Sequence, residues 1–194
     1  MGKKSPFQRT TAVPKDTLLT RATLFLGEVD GAGTGSIPSA GAITFTLNQL
    51  PNVAAYQQIF DAYQVRKMTL RMIPTYNSAD EAPAGASTVN GIQNIVVAKD
   101  QDDSTPPASE AELLQYGTNR QFMVDGIKTY TIVPKVKINA SGPNFVEGPS
   151  NQWVPTDQPL VQHYCIKYFT PSTMSKYITC KFYIEVEIGF KNAK

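Results

Sequence analysis

The segment YITCKFYIEVEIGF, residues 177–190, is the clearest indicator of fold class in this chain. Apolar and polar side chains alternate along it, which is the two-residue period of a β-strand with one buried face. The residues predicted to face the core are Ile178, Cys180, Phe182, Ile184, Val186 and Ile188. Those predicted to face outward are Thr179, Lys181, Tyr183, Glu185 and Glu187. The segment therefore predicts one long strand.

Seven further segments have the same strand-like character. They are residues 20–29, 42–47, 64–74, 92–99, 120–124, 128–138 and 162–168. The 13 Gly and 14 Pro residues fall mostly between these segments, as turns require. Pro134 lies inside one of them, which predicts an edge position or a bulge there. Two long polar loops, residues 76–91 and 139–159, connect the predicted strands.

Two short helices are predicted in the connections. Asn52 is placed to cap the first, over residues 53–63, and Ser109 with Glu112 forms a capping box for the second, which Gly117 ends. Eight antiparallel strands with long, irregular connections predict a single all-β domain with jelly-roll topology. An immunoglobulin-like sandwich would have shorter and more even connections.

Charge is unevenly distributed along the chain. The net charge is +2, but residues 1–21 contain five basic residues against Asp16 alone, which gives +4 there and −2 for the remainder. We therefore divide the chain into a basic arm, residues 1–19, and a shell domain, residues 20–194. Basic arms of this kind often contact nucleic acid, although the charge is equally compatible with a solvated tail.

Enzymatic chemistry finds little support in the sequence. His163 is the only histidine, so it cannot supply the several imidazole ligands of a jelly-roll metalloenzyme. Neither a nucleophile elbow nor a Gly-rich phosphate loop is present. Cys165 and Cys180 lie inside predicted strands without metal-ligand spacing, and we interpret them as reduced core thiols. The sequence predicts no catalytic residues.

An acidic turn follows the fourth predicted strand. Asp100, Asp102 and Asp103 are grouped there, and three carboxylates can supply oxygen ligands to Ca²⁺. The required Gly and final Glu of an EF-hand are missing. An acidic turn that pairs with basic residues of a neighbouring subunit is the favoured interpretation, and no cofactor is otherwise expected.

Several segments, taken in order, resemble the capsid proteins of small circular single-stranded DNA viruses that encode a replication initiator, the CRESS-DNA viruses. YQQIFDAYQVRKMTLRMIP, residues 56–74, is similar to that group's helix-to-strand segment. VAKDQDDSTPPASEAELLQYGTNRQ, residues 97–121, resembles its strand, DxDD turn, helix and "YGT-R" segment. Residues 128–137, 163–168 and 177–190 resemble later strands of the same group. The arm departs from the pattern, because many such proteins begin with a long Arg-rich stretch.

The resemblance implies two four-stranded sheets, an icosahedral particle and packaged single-stranded DNA, and hence a location in the virion. A closed shell of about 60 copies, the smallest icosahedral set, is expected because one domain of this size with little surface charge favours closed symmetric contacts. A host-nucleus stage during assembly is also expected. The resemblance also places residues 20–29, 64–74, 128–138 and 177–190 in one sheet, on the inner wall of the particle.

The predicted phosphate-binding residues are Lys3, Lys4, Arg9 and Lys15 of the arm, with Arg21, Lys67, Arg71, Lys135, Lys137 and Lys181 of the sheet. Tyr183 is placed to stack a base. Solvated or intersubunit charges are the alternative role for the sheet residues, and Glu185 and Glu187 favour it locally.

The two long loops are expected to lie outside the sheets and to form the outer surface and the subunit contacts. Trp153, in the second loop, is the candidate interface anchor, and a Trp that caps its own core is nearly as well supported. No apolar segment is long enough for a membrane helix, so no membrane partner is expected.

Two other protein classes remain as alternatives. The chain would also suit the capsid protein of a small or satellite RNA virus, since the jelly roll is shared. A jelly-roll lectin or cytokine-like module is the alternative from a different class. The missing secretory signal and the unpaired cysteines weigh against it.

Overall fold

The structure, a computed structural model, describes residues 18–30, 37–76, 94–139, 145–170 and 178–193. These residues form eleven strands, two short α-helices and one 3-10 turn. The strands are β1 (Leu18–Asp30), β2 (Ala40–Phe45), β3 (Phe60–Tyr76), β4 (Asn94–Lys99), β5 (Arg120–Met123), β6 (Lys128–Ile132), β7 (Lys135–Asn139), β8 (Phe145–Ser150), β9 (Val154–Pro155), β10 (His163–Phe169) and β11 (Ile178–Ala193). The helices are α1 (Val53–Ile59) and α2 (Glu110–Leu114), and the 3-10 turn is Leu47–Gln49.

The strands form two antiparallel sheets, which confirms the predicted jelly roll. The first sheet has the order β1-β11-β3-β6, with β9 added beside β3. The second has the order β5-β4-β10-β7-β8, with β2 paired to β10. Each sheet holds more than the four strands expected, because β7, β8 and β9 extend the basic arrangement.

The core lies between the two sheets. Met68, Leu70 and Met72 of β3 are at most 1% exposed, as the alternation of that strand predicts. Along β11, the predicted core residues 180, 182, 184, 186 and 188 are equally buried. Ile95 and Ile166 of the second sheet pack against the same cluster. The period-two pattern of β3 and β11 therefore identified their buried faces correctly.

The predicted strand over residues 128–138 is wrong as one element. Lys128–Ile132 forms β6 and pairs with β3 in the first sheet. Lys135–Asn139 forms β7 and pairs with β8 and β10 in the second. Buried Pro134 lies between them, and because proline has no backbone N–H it interrupts the ladder. The chain crosses from one sheet to the other at this point.

The loop predicted over residues 139–159 is also wrong in part, because β8 and β9 lie within it. Phe145–Ser150 pairs with β7, and Val154–Pro155 pairs with β3. β8 contains Gly148 and Pro149, which the sequence analysis took as loop signals. Since β8 is the edge strand of its sheet, a proline is tolerated in it. The other predicted loop lies outside the described residues beyond Tyr76.

The first helix is shorter than predicted. It ends at Ile59, and residues 60–63 belong to β3. Asn52 occupies the N-cap position with a left-handed backbone (φ 62°), but its side chain makes no capping hydrogen bond. The second helix agrees better, since the Ser109 hydroxyl accepts a hydrogen bond from the Glu112 N–H at 3.3 Å. The Glu112 carboxylate accepts one from the Ala108 N–H at 2.8 Å. Among the described residues, no helix has the length and apolar character needed to cross a membrane.

Candidate nucleic-acid interface

The first sheet has an outer face, defined as the side chains of β1, β3, β6 and β11 that point away from the second sheet. Strand register arranges these side chains in rows across the sheet. One row joins Arg21, Glu187 and Lys67. A second, four residues earlier in β11, joins Phe25, Tyr183 and Arg71. The pattern that buries one face of β11 therefore gathers the predicted cations on the opposite face.

Three of the four predicted cations that lie on the outer face pair with glutamates of the same sheet. Arg21 Nη2 lies 3.1 Å from Glu187 Oε2. Arg71 Nη1 lies 3.6 Å from Glu185 Oε1, and Lys181 Nζ lies 3.4 Å from Glu28 Oε1. All three pairs are partly open to solvent, and such pairs contribute little to stability. A phosphate can therefore compete for these cations at small cost.

Arg66 is a cation of the outer face that the sequence analysis missed. A β-bulge where Glu187 and Ile188 of β11 pair with β3 leaves Arg66 without a cross-strand partner. Its guanidinium then lies over Gly189, where a Cβ would come within 3.0 Å of Nε. The adjacent cations Arg66 and Lys67 break the alternation of β3, and this break is the signal in the sequence that indicates the bulge.

The charge on the outer face is positive but modest. Among the described side chains in the rows from Glu28 to Gly189, five cations, Arg21, Arg66, Lys67, Arg71 and Lys181, stand against three carboxylates, Glu28, Glu185 and Glu187. A shallow groove of about 280 Å³ runs over this face. It is lined by Arg21, Ala22, Thr23, Lys67, Thr69, Glu185, Val186 and Glu187.

Phe25 and Tyr183 form an aromatic pair on the outer face, with ring centroids 5.2 Å apart. Phe25 is 55% exposed, so much of its ring faces solvent. Arg71 follows Tyr183 in register, and Thr129 of β6 follows Arg71. Two rings, a guanidinium and a hydroxyl thus stand in one row across four strands.

Two of the predicted cations do not belong to this face. Lys135 lies in β7 of the second sheet, where it pairs with Tyr164 and Ser150, because the chain crosses between sheets at Pro134. The backbone of Lys137 pairs with Glu147 in the same second sheet. Their predicted place on the first sheet is therefore wrong. The arm cations Lys3, Lys4, Arg9 and Lys15 lie outside the described residues.

Two carboxylates of the acidic turn form ion pairs with a lysine of the same chain. Lys167 Nζ lies 2.6 Å from Asp100 Oδ2 and 2.8 Å from Asp103 Oδ1. The side chains of Lys167 and Asp100 are each 2% exposed, because α2 packs on β4 and β10 and covers this side of the second sheet. The Tyr116 hydroxyl donates to Asp100 Oδ2 at 2.8 Å. The carboxylates therefore pair with a lysine of the same chain, whereas the sequence suggested basic residues of a neighbouring subunit.

Hydrogen bonds keep Asp100 and Lys167 charged. Burial by itself would raise the pKa of Asp100, but hydrogen bonds from Asp102, Lys167 and Tyr116 hold it well below its usual range. Burial would lower the pKa of Lys167, and its bonds to Asp100 and Asp103 raise it instead. The pKa of Asp102 is raised, chiefly by its hydrogen bond with Asp100. The three carboxylate oxygens lie within 4.8 Å of one another, but the Lys167 ammonium already supplies positive charge there.

His163 is packed in the core between aromatic rings. It is 1% exposed, with ring centroids 5.6 Å from Tyr63 and 6.2 Å from Phe45. Among the described residues neither ring nitrogen has a well-formed hydrogen bond. Burial lowers the pKa of His163 to about 4, and the nearby backbone of Phe45 and Val161 offsets this only in part. The imidazole is therefore neutral near pH 7.

The two cysteines are free and buried, as predicted for core thiols. Burial raises the pKa of each to about 12, which is the opposite of the activation that a nucleophilic thiol needs. The Cys165 thiol donates to the Asp103 carbonyl at 3.1 Å.

Trp153 lies between β8 and β9 and is half-buried. The ammonium of Lys191, near the end of β11, stands 4.5 Å from the centre of its ring. This cation–π contact holds the indole against its own chain. Part of the ring remains open, so a role in subunit contacts stays a prediction.

Comparison with known proteins agrees with this geometry. Residues 8–194 match the family model described as circovirus capsid protein. No curated protein sequence matches the chain.

Solved structures show the same fold at low sequence identity. The BFDV capsid protein in its 60-mer form has a TM-score of 0.61 and 17% identity, over 91% of this chain and 94% of that one. Its decameric form has a TM-score of 0.56 and 18% identity, over 91% and 99% of the two chains. The mud crab tombus-like virus structure has a TM-score of 0.51 and 12% identity, over 100% and 90%. At these identities the likeness establishes the jelly roll.

Proposed function

The chain belongs to the circovirus capsid protein family, and on that premise we propose that it assembles into a closed icosahedral shell around single-stranded DNA. The observation that carries the proposal is the match of the family over residues 8–194, which spans both sheets. A shell of about 60 copies is the smallest icosahedral set and suits one domain of this size. The related BFDV capsid protein forms a 60-mer.

Assembly is tested on freshly purified full-length protein. Light scattering and negative-stain microscopy over a range of salt and pH should show closed particles of uniform size. Only monomers or trimers under all of these conditions would contradict the proposal, and they are what a lectin or cytokine-like module would give.

We further propose that the arm and the outer face hold the nucleic acid. Lys3, Lys4, Arg9 and Lys15 would neutralise phosphates from the arm, which leads directly into β1 at Leu18. The arm supplies the larger share, because glutamates partly balance the cations of the outer face. Phosphate contacts do not depend on base sequence, as a container for a whole genome requires.

The nucleic-acid proposal is tested by the ultraviolet absorbance ratio of purified shells. We compare wild type, a deletion of residues 1–17 that leaves β1 whole, and Lys67/Arg71/Lys181→Ala. The control is Lys99/Arg120/Lys135→Ala, which removes three cations from the second sheet. Nucleic-acid content should fall most in the deletion, less in the outer-face variant, and not in the control. Equal content in all intact shells would contradict it. Digestion of the extracted cargo by DNase but not RNase distinguishes DNA from RNA.

We propose that the protein has no catalytic activity and binds no metal. Neutral, buried His163 and the raised pKa values of both thiols support the first part, and the charge of Lys167 supports the second. Chelator or added Ca²⁺ should leave the melting temperature unchanged, and a clear rise with Ca²⁺ would contradict this. Turnover lost specifically in His163→Ala shells would contradict the absence of activity.

A host-nucleus stage during assembly is proposed from family membership alone. Localisation of the expressed full-length chain and of the 1–17 deletion by fluorescence microscopy tests it. Exclusion of the full-length chain from the nucleus would contradict it.

A further inference from the structure

We infer that the Phe25–Tyr183 pair is a stacking platform for the bases of single-stranded nucleic acid, with Arg71 placed to hold the adjoining phosphate. This inference rests on the proposed function and adds a second kind of contact to it. The phosphate contacts proposed above are electrostatic, whereas stacking uses the flat face of the base.

The exposure of Phe25 is the first observation behind the inference. More than half of this large apolar side chain faces solvent, although its neighbours in β1 at positions 24 and 26 turn toward the core. Tyr183 supports it from the adjacent strand at 5.2 Å. The two rings are tilted by 47°, so Phe25 is held in place by its neighbour without being covered by it.

The surroundings of the pair favour a nucleic acid over a protein partner. A protein interface needs a broad apolar centre, but the rings are bordered by threonines and charges. Thr69 and Thr131 are joined by a hydrogen bond of 3.0 Å between their hydroxyls. The next row carries the ion pair of Lys181 and Glu28. An exposed phenylalanine ring and a half-buried tyrosine ring inside a polar, net positive surface match the combination of aromatic platform and cationic groove used to bind single strands.

Arg71 supplies the phosphate contact beside the platform. It stands next to Tyr183 in register, and its guanidinium is 3.6 Å from Glu185, with both side chains more than 40% exposed. This pair is long and open, so the guanidinium can turn to a phosphate with little loss. A nucleotide would thus place its base on the rings of β1 and β11 and its phosphate over β3.

The experiment compares oligonucleotides with and without bases. Full-length protein is returned from high to physiological salt with either an oligothymidylate or an abasic oligomer of equal length, and the amount bound per chain is measured against oligomer concentration. Wild type should prefer the thymidylate. Phe25→Leu/Tyr183→Leu should lose about tenfold in affinity for it and bind the abasic oligomer as before. Tyr183→Phe, which keeps the ring, is the matched control and should behave as wild type.

A second measurement does not depend on any variant. Wild-type protein bound to an oligomer that contains 5-iodouracil is irradiated, and the adduct is located by mass spectrometry. The expected adduct is at Phe25 or Tyr183. Oligouridylate in place of thymidylate shows whether the platform accepts RNA equally, as stacking predicts.

The outcomes separate this inference from the function it rests on. Equal wild-type affinity for the thymidylate and abasic oligomers would overturn the stacking platform and leave phosphate binding standing, as would an adduct confined to aromatic residues elsewhere. A leucine variant that binds thymidylate normally but fails to assemble would make the pair a subunit contact and overturn the inference. Failure of wild type to bind either oligomer would overturn the proposed nucleic-acid function itself.

Discussion

At the scale of single residues, burial fixes the charge of His163. Its pKa is lowered from about 6.5 to about 4 in the folded chain, so the unfolded chain binds more protons between these values. The stability contributed by the neutral form is complete above about pH 6.5 and is lost as the pH falls toward 4. The position of this histidine in the core therefore accounts for its lowered pKa without a catalytic role.

We therefore expect acidification to weaken the wild type more than a variant without the imidazole. Between pH 7 and 4.5 the free energy of unfolding should fall by about 2 kcal/mol more in wild type than in His163→Leu. Urea unfolding at both pH values measures the difference. Parallel loss in the two proteins would show that the histidine does not contribute to acid sensitivity.

The buried ion pair gives a second prediction at this scale. Lys167→Met should reduce the free energy of unfolding by about 3 kcal/mol, because Asp100 would remain buried without its counter-charge. Lys181→Met removes a lysine from the solvent-exposed pair with Glu28 and should change it by less than about 1 kcal/mol. The double variant Lys167→Met/Asp100→Asn should be less damaging than the sum of its parts. Similar losses from the two lysine variants would contradict a special role for the buried pair.

At the scale of strands, the packing of β2 against β10 requires a glycine at position 41. Gly41 pairs with Tyr168 of β10, and a Cβ on Gly41 would lie only 2.6 Å from the Tyr168 hydroxyl oxygen. That hydroxyl donates to the Pro38 carbonyl at 3.1 Å. The tyrosine ring therefore lies directly over the glycine and joins β2 to the sheet.

Gly41→Ala should displace this ring and lower the free energy of unfolding by about 1–3 kcal/mol, the usual range for overpacking. Gly117→Ala is the control, because the space around Gly117 is open. Denaturant unfolding of both variants measures the effect. If Gly41→Ala were as stable as the control, the contact with Tyr168 would not be needed to hold β2.

The same scale separates what sequence could predict from what it could not. The alternation of apolar and polar residues predicted β1, β3 and β11 and their buried faces, because each of these strands has one face in the core and one face toward solvent. β4 is buried on both faces, since α2 covers its outer side. Its mostly apolar composition still predicted a strand. The crossing at Pro134 and edge strand β8 were missed because Pro and Gly signal loops locally, and only sheet position makes them compatible with strands.

The candidate interface was predictable to a similar degree. Arg21, Lys67, Arg71 and Lys181 share the predicted face because strand alternation places them there. Their pairing with glutamates depends on cross-strand register, which no single segment reveals. The place of the Arg66 side chain on the outer face depends on a bulge. Lys167 is buried only because α2 folds over it. Neither feature follows from the pattern of apolar and polar residues along one strand.

At the scale of the whole molecule, Trp153 tests whether the region between β8 and β9 contacts other copies. The ring is held by Lys191 and is still partly open. Trp153→Ala should weaken shell assembly more than it lowers the melting temperature of the subunit. Sedimentation of assembled material and thermal unfolding of dissociated protein give the two quantities. A large loss of melting temperature with normal assembly would make Trp153 a cap of its own core.

The order of strands in the first sheet has a consequence for protein synthesis. β11 is translated after every other described strand, yet it lies between β1 and β3 and pairs with both along most of its length. Until β11 has been translated, these two strands have unpaired edges on the nascent chain. A ribosome that stops before β11 therefore releases a product unable to close the first sheet. Only chains translated through β11 can therefore form the complete first sheet, so the position of one strand makes its synthesis a requirement for a folded subunit.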